Sequence, residues 1–209
     1  MTAPPVSTGR AAYLQARRER TRSDILVAGR QVFARANYVQ AKIEDIIKAA
    51  RVSRATFYAH FDTKLDLAYA IYDEIAPQTA ALFGHLSTLV GSDRVALRGW
   101  LLEFVGLYVG HSYVTPLIAQ LALFEERFRQ RLQDDGDALI DLVASAGVPN
   151  FVRAMGGDET ARRQRIRARL LFNRVATVCG QIARQEIPPE QADEWLDVVA
   201  EELAQFLNE

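Results

Sequence analysis

Residues 53–61, which read SRATFYAHF, decide how the beginning of this chain folds. At about 100° of rotation per residue, Phe57 and Phe61 fall on one side of a helix, which must be its buried side. The opposite side is centred on Ala55 and Ala59, whose small side chains would let the helix backbone approach another surface closely. The segment therefore predicts a short helix with one apolar face and one open face of small residues.

A second short helix precedes this one in the sequence. Residues 42–50 carry Ile43, Ile46 and Ile47 at helical spacing, and a turn of three or four residues follows. Ser53 then stands where the N-cap of the next helix is expected. Two short helices joined in this way form the outline of a helix-turn-helix, in which the second helix enters the major groove of DNA.

Polar side chains surround the open face of the second helix. Arg54 and Thr56 lie in its first turn, and Tyr58 and His60 project to its flanks, where a groove-bound helix meets the sugar-phosphate chains. Lys64 lies in the first turn of the following helix, where a positive charge opposes the helix dipole and is better explained by an anion. Tyr58 alone is better explained as a half-buried packing aromatic, and His60 alone as a solvated surface residue. Their grouping around one face favours DNA contact.

The net charge of −1 conceals an uneven distribution of charge. Residues 1–64 contain twelve Lys or Arg and five Asp or Glu, a net charge of +7, whereas residues 65–209 contain thirteen and twenty-one, a net charge of −8. A basic segment joined to an acidic one indicates two tasks, the first of them directed at a polyanion.

Helical periodicity extends to the end of the chain. Apolar stripes at helical spacing recur in residues 93–110, 116–146, 158–186 and 189–207, and no segment alternates with the period of a strand. The predicted fold class is all-α, with about nine helices that form an amino-terminal three-helix helix-turn-helix domain and a carboxy-terminal bundle.

Three segments follow from this pattern. Residues 1–16 contain Pro4, Pro5 and Gly9 and predict a disordered arm. Residues 17–66 begin with the arginine cluster Arg17, Arg18, Arg20 and Arg22, include a first helix that ends near Asn37, and form the helix-turn-helix domain. Residues 67–209 form the carboxy-terminal helical domain.

Several classes of protein are excluded by what the sequence lacks. The single cysteine, Cys179, and three widely separated histidines provide no disulfide framework and no metal-ligand spacing, so that no metal and no cofactor are expected. The chain has no paired-carboxylate motif, phosphate loop or GxSxG motif, which predicts that it is not an enzyme. Without a long apolar run or a signal-peptide pattern, a cytoplasmic location is expected.

The segment Arg54–Phe61, followed by Asp62-Thr-Lys-Leu65, resembles the recognition helix and the start of the fourth helix of TetR-family repressors. Ile25-Leu26, Val32-Phe33 and Asp45-Ile46 match the same pattern, so that the resemblance covers about residues 20–70. It implies an all-α homodimer in which the larger carboxy-terminal domain binds a small effector and dimerises through its last two long helices.

The resemblance also implies roles for individual residues. Tyr58, His60 and Lys64 would contact phosphates, and Arg54, Ala55 and Thr56 would lie nearest the bases. The predicted DNA-contact residues are Lys42, Ser53, Arg54, Ala55, Thr56, Tyr58, His60 and Lys64.

The sequence departs from the family pattern at four positions. Asn37 and Arg51 stand where glycine is common, Lys42 replaces a threonine that often caps the second helix, and Ile47 replaces a small residue. Asn tolerates left-handed geometry, whereas arginine at Arg51 would cost about 1 kcal/mol if its φ is positive. At Lys42 a cap is lost and a charge contact to phosphate is gained.

The acidic part of the chain contains a stripe of aromatic residues that is the candidate lining of an effector pocket. The alternative for each member is an ordinary position in the bundle core. Polar tips make some of them stronger candidates, because a buried polar group needs a partner. The predicted ligand-binding residues, suited to an apolar or aromatic effector, are Trp100, Phe104, Tyr108, His111, Tyr113, Gln120, Phe124 and Phe172.

The last two long helices carry more apolar surface than one amphipathic face requires. They suit a four-helix dimer interface, and the alternative is that their stripes only close the core of one subunit. The predicted interface residues are Val175, Ile182, Trp195, Val199, Leu203 and Phe206.

These features predict a homodimeric repressor that binds a palindromic operator in double-stranded DNA and is released from it by a small molecule. A DNA-binding protein that needs no ligand is the first alternative. A helical carrier of small molecules is the second, and a carrier would not need the basic amino-terminal face.

Overall fold

The computed structural model describes residues 7–208, and helices account for most of them. The helices are α1 (Ser7–Gln40), α2 (Ile43–Ala50), α3 (Arg54–Tyr58), α4 (Lys64–Tyr72), α5 (Ala76–Leu86), α6 (Arg94–Gly110), α7 (Val114–Phe124), α8 (Glu126–Ser145), α9 (Pro149–Arg153), α10 (Glu159–Ala183) and α11 (Pro189–Asn208), with a 3₁₀ turn at Ser87–Leu89. Within residues 7–208 no strand occurs, which confirms the all-α fold class. The single helix expected over residues 116–146 is divided at Glu125, where the backbone is extended.

The beginning of the chain differs from the prediction of a disordered arm over residues 1–16. Residues 1–6 lie outside the described residues, but residues 7–16 are the first turns of α1. Thr21 lies inside this helix, and its hydroxyl donates to the Arg17 carbonyl at 3.0 Å. Pro4, Pro5 and Gly9 favour irregular structure, whereas Ala, Arg, Leu and Gln, which make up most of residues 10–16, are good helix formers.

The chain divides into two compact units, one up to Glu74 and one from Ile75. In the first unit α1 packs against α2 and α4. Gly29 permits the approach to α4, because a Cβ added there would lie 2.9 Å from Leu67 Cδ2. Ile25, Ile46 and Phe57, from three different helices, are fully buried. The first unit thus has its own hydrophobic core, to which α4 also belongs, whereas the sequence had suggested a boundary after residue 66.

Two non-glycine residues of the first unit have positive φ. Asn37 has φ 56° and ψ 168° and bends α1 near its end, and its Oδ1 accepts a hydrogen bond from the Gln40 N–H at 3.0 Å. This ψ lies outside the left-handed region that was expected for Asn37. Arg51 ends α2 at φ 54° and ψ 38°, a left-handed conformation. The turn of the helix-turn-helix therefore holds an arginine where glycine has no steric cost.

Replacing Arg51 by glycine is expected to raise the free energy of unfolding by about 0.5–1 kcal/mol, since the left-handed penalty exceeds the added chain entropy of glycine. Far-UV circular dichroism during urea denaturation measures this change. The matched control is Ala49→Gly, two residues earlier within α2, which should destabilise by about 1 kcal/mol. A destabilisation of Arg51→Gly equal to that of the control would contradict the argument.

The second unit is a helical bundle with an aromatic centre. The Phe83 ring lies 5.5 Å from that of Trp100, 5.7 Å from that of Phe104 and 4.5 Å from that of Phe172. The Trp100 indole N–H donates to the Leu82 carbonyl at 2.8 Å. Trp100, Phe104 and Phe172 were predicted to line an effector pocket; here they pack against Phe83 as members of the core.

Five of the six predicted dimer-interface residues belong to the core of their own unit. Val175, Val199, Leu203 and Phe206 are buried there, and Ile182 packs against the same cluster. Trp195 alone of the six is exposed, at 44%. The strongest apolar stripes of α10 and α11 therefore contribute to the core of this unit.

The thiol of Cys179 is fully buried in this core, and burial raises its pKa to about 12. We expect it not to react with a thiol reagent at pH 8 while the protein is folded, because the thiolate is the reacting species. Absorbance after addition of Ellman's reagent, with free cysteine as the control, measures the reaction with and without urea. Complete reaction of the native protein within minutes would contradict the expectation.

No single helix among the described residues has the length and hydropathy needed to span a membrane; α6 and α7 reach that length only as a pair with an 83° bend between them.

Candidate functional site

Helix α3 is held by local contacts at both ends. The Ser53 hydroxyl accepts a hydrogen bond from the Thr56 N–H at 3.0 Å and lies 2.7 Å from the Thr56 hydroxyl. Phe57 is fully buried and Phe61 is 4% exposed, with their ring centroids 6.1 Å apart. The inward face is the one that the spacing of the two phenylalanines predicts.

The opposite face of α3 is open to solvent. Ala55 and Ala59 are exposed and offer no side-chain barrier between the helix backbone and an approaching surface. Tyr58 borders this face with 39% of its surface exposed, and its ring packs edge-on against Phe57 at 5.4 Å. Tyr58 thus combines a packing role with an accessible hydroxyl, so that the two interpretations of this residue are compatible.

Arg54 is paired with Glu44, a residue that sequence reasoning did not place at this surface. The Arg54 Nη1 lies 2.8 Å from the Glu44 Oε1, and both side chains are more than half exposed. A hydrogen bond to Tyr58, followed by the charge of Glu44, raises the pKa of Arg54. Exposed ion pairs of this kind contribute little to stability. A phosphate or a base edge can therefore replace Glu44 as the partner of Arg54.

Lys64 lies at the start of α4, where Thr63 and Asp66 form a capping box. Its ammonium donates to the carbonyls of Tyr38 at 2.7 Å and Ala41 at 3.0 Å, and lies 4.5 Å from the centre of the Tyr38 ring. The sequence argument explained Lys64 by an anion alone. The structure supplies another reason for a cation here, because these carbonyls at the end of α1 carry partial negative charge.

Replacing Lys64 by methionine is expected to lower the free energy of unfolding by about 1.5–3 kcal/mol, because it removes charge-assisted hydrogen bonds. Urea denaturation followed by circular dichroism measures this loss. The control is Lys42→Met, at an exposed position, which should change stability by no more than about 0.5 kcal/mol. Equal stability of the two variants would show that the Lys64 contacts are not stabilising.

Lys42 occupies the N-cap position of α2, has extended backbone angles and makes no side-chain cap. This agrees with the loss of a cap expected where lysine replaces threonine. The exposed Lys42 side chain and the open face of α3 both belong to the first unit.

His60 lies near the end of the recognition segment, residues 53–61, and is half-buried. Desolvation lowers its pKa, and the positive charges of Arg18 and Arg22 lower it further. The Arg22 guanidinium lies 5.1 Å from the centre of the Phe61 ring. The arginines of α1 therefore reach the carboxy-terminal side of the recognition segment, a proximity that sequence spacing could not reveal.

In the second unit, some of the predicted ligand-binding residues form a polar cluster. The His111 Nδ1 lies 3.0 Å from the Tyr113 hydroxyl, and its Nε2 lies 3.1 Å from the Gln78 amide. Tyr108 packs edge-on against Phe104 at 5.1 Å, and burial raises the pKa of its hydroxyl. Gln120 is half-buried on α7, whereas Phe124, at the end of α7, is 58% exposed.

Arg184 adds to this region a donor that the sequence did not single out. Its Nε and Nη2 each donate to Glu186 at 2.7 Å. Its Nη1 is buried without a hydrogen-bond partner among the described residues. Both this nitrogen and the Tyr108 ring lie beside Gly180, because a Cβ added to Gly180 would be 3.1 Å from the Arg184 Nη1 and 3.8 Å from the ring. A buried guanidinium nitrogen without a partner is uncommon and costs free energy.

Comparison with known proteins relates residues 25–71 to a known family, and the fold of most of the chain to solved structures. Residues 25–71 match the family model described as bacterial regulatory proteins, tetR family. No curated protein matches the chain at a significant level of sequence similarity.

Solved structures extend the similarity to most of the chain. A protein from Mesorhizobium loti, assigned to the TetR family of transcriptional regulators, superposes with a TM-score of 0.63 at 17% identity, covering 91% of this chain and 96% of its own. A TetR-family regulator from Pectobacterium atrosepticum has a TM-score of 0.52 at 19% identity, covering 92% and 94%. An Aquifex aeolicus regulator has 0.54 at 17% identity, covering 88% and 96%. Residues 25–71 thus match the family model of tetR-type bacterial regulatory proteins, and the chain has a fold similar to that of solved TetR-family regulators.

Proposed function

We propose that the chain is a homodimeric transcriptional repressor that binds a palindromic operator through α3 and is released by a small-molecule ligand. The observation that carries the DNA-binding part is the open Ala55–Ala59 face of α3, bordered by Arg54 and Tyr58, in the basic part of the chain. Arg54 and Thr56 read bases, while Lys42, Ser53, Tyr58 and His60 contact the backbone. Lys64 both binds the end of α1 and presents its charge to phosphate. Operator binding implies a cytoplasmic location.

Selection of bound duplexes from a random pool, followed by sequencing, tests this proposal. A dimer should select two inverted half-sites whose centres lie about one helical turn, or a multiple of it, apart. Arg54→Ala should relax the base preference at one position of each half-site. Recovery of unrelated sequences with equal affinity would contradict a role as a specific regulator.

For dimerisation we propose a different set of residues from the stripes that form the core. Apolar side chains exposed on α10 and α11 are Ile166, Leu170, Trp195 and Val198. The Arg174 Nη1 and the Glu202 Oε1, 2.5 Å apart, join the same two helices. Sedimentation velocity should show a monomer for Leu170→Lys and a dimer for the control Val95→Lys, which places the same charge on an exposed valine of α6.

For the effector we propose the cluster of Tyr108, His111, Tyr113 and Arg184. The buried Nη1 of Arg184 supports this choice, since a ligand oxygen there would supply the missing acceptor. Glu186 already neutralises the Arg184 charge, which favours a carbonyl-bearing neutral compound with apolar or aromatic surface over an anion. Ligand binding would displace α4 and change the spacing of the two recognition helices.

Isothermal titration of the protein with a panel of such compounds, with and without operator, tests the effector proposal. Ligand and operator must weaken each other's binding by the same factor. Arg184→Lys should weaken ligand binding while operator affinity without ligand is retained. A ligand that binds tightly and leaves operator affinity unchanged would show that it is not an inducer.

A regulator without a ligand is the second candidate. The packing of Trp100, Phe104 and Phe172 against Phe83 favours it, because these aromatic residues fill space that an effector would need. Under this alternative the protein binds its operator with the same affinity in the presence of every compound of the panel.

A further inference from the structure

The beginning of α1 forms an exposed helical extension, residues 9–24. All of these residues are exposed except Thr21, which is half-buried, and the buried positions of α1 start at Ile25. A helix of this length without a packed face is marginally stable in water. Tyr13 and Leu14 are 67% and 53% exposed, so that most of their apolar surface is uncovered. The extension therefore gains most from a partner that covers it.

The charge of the extension identifies the class of partner. It carries five positive side chains against Glu19 and Asp24, a net charge of +3. The positive residues are Arg10, Arg17, Arg18, Arg20 and Arg22. They are distributed around the helix. Measured as rotation about the helix axis, Arg17 lies about 100° from Arg18, and Arg20 lies about 200° from Arg18. A rod with arginines on several sides suits a polyanion with phosphates along its length, such as the DNA backbone.

The extension begins beside the carboxy-terminal end of the recognition segment. Arg22 lies over the Phe61 ring, and Arg18, one turn earlier on the same side of α1, acts on His60 together with Arg22. Both neighbours belong to the recognition segment, so that the extension starts beside the surface assigned to DNA. From Arg22 to Arg10 the helix rises about 18 Å, which corresponds to about five base pairs of duplex.

We infer that the α1 extension is a second DNA-contacting element, in which arginines between Arg10 and Arg22 bind the sugar-phosphate backbone beside the groove entered by α3. This inference rests on the proposed DNA binding. Phosphate contacts carry no base preference, so the extension contributes affinity and register while α3 contributes sequence discrimination.

The salt dependence of binding by the double variant Arg17→Gln/Arg18→Gln tests this inference on the full chain. Each lost phosphate contact should reduce the slope of log K against log salt by about 0.9. At about 0.1 M salt, affinity should fall roughly tenfold or more for the operator and for an unrelated duplex alike. The matched control is Arg127→Gln/Arg163→Gln, which removes two exposed arginines of the second unit and should leave the slope unchanged.

Hydroxyl-radical footprinting gives an independent readout. The wild type should protect about five more base pairs on the outer side of each half-site than the double variant, and circular dichroism should be the same for both. A double variant with the slope and footprint of the wild type would overturn the inference while operator binding by α3 stands. An altered sedimentation coefficient with an unchanged slope would assign the extension to a protein contact and overturn it as well. A wild-type chain that binds no duplex would overturn both proposals.

Discussion

Glutamate at Ala55 should reduce operator affinity more than about 100-fold, because it places a carboxylate where α3 meets the negatively charged groove and like charges cost several kcal/mol. The substitution should leave the fold intact. Ala55 is exposed in the first turn of α3, where a negative side chain is favourable for the helix dipole. Fluorescence anisotropy of labelled operator measures the loss of affinity, and circular dichroism checks the helix content.

Ala55→Lys is the control for size and flexibility. It also blocks the close approach of the α3 backbone, but its charge attracts DNA. We expect it to retain binding to unrelated duplexes and to lose preference for the operator. Wild-type affinity of Ala55→Glu for the operator would place the DNA surface elsewhere on the molecule.

The second large effect concerns the aromatic centre of the second unit. Phe83→Ala should lower the free energy of unfolding of this unit by about 3–5 kcal/mol, through lost burial and the cavity left among Trp100, Phe104 and Phe172. Both tryptophans of the chain, Trp100 and Trp195, lie in this unit. Tryptophan fluorescence during urea denaturation therefore reports on this unit separately from the first.

Phe83→Leu is the control, and it should cost less because most of the side-chain volume is retained. If Phe83→Ala were as stable as Phe83→Leu, the surrounding rings would close the space at little cost. The second unit would then be loosely packed, and an effector could enter among its aromatic residues.

Local features of the fold were predictable from the sequence, because their causes lie within a few residues of one another. The caps Ser53 and Thr63 and the buried pair Phe57 and Phe61 follow from spacing within one or two turns. Arginine in place of the glycine common in the family pattern marks Arg51 as a position where a positive φ would be costly, and its φ is 54°.

Features that depend on which helix packs against which were not predictable. Lys64 contacts carbonyls more than twenty residues earlier in the chain, and Arg54 pairs with Glu44. Neither contact produces a periodic pattern in the sequence. An apolar stripe on α10 or α11 shows that a face is buried, but not whether its own bundle or a second copy covers it. The interface was for that reason assigned to core residues. Residues 7–16 fall within the predicted disordered arm because the signal of Pro4, Pro5 and Gly9 outweighs the helix propensity of the residues that follow.

The contacts of Lys64 oppose movement of α4 relative to α1 within the first unit. The ammonium fastens the first turn of α4 to the end of α1, and Gly29 holds the two helices in near contact further along. Sliding α4 against α1 would strip a charged group of its acceptors, at a cost of about 1 kcal/mol or more for each. A displacement of α4 would therefore move α1, α2 and α3 together as one body. The direction of the recognition helix α3 would change while its internal structure is kept.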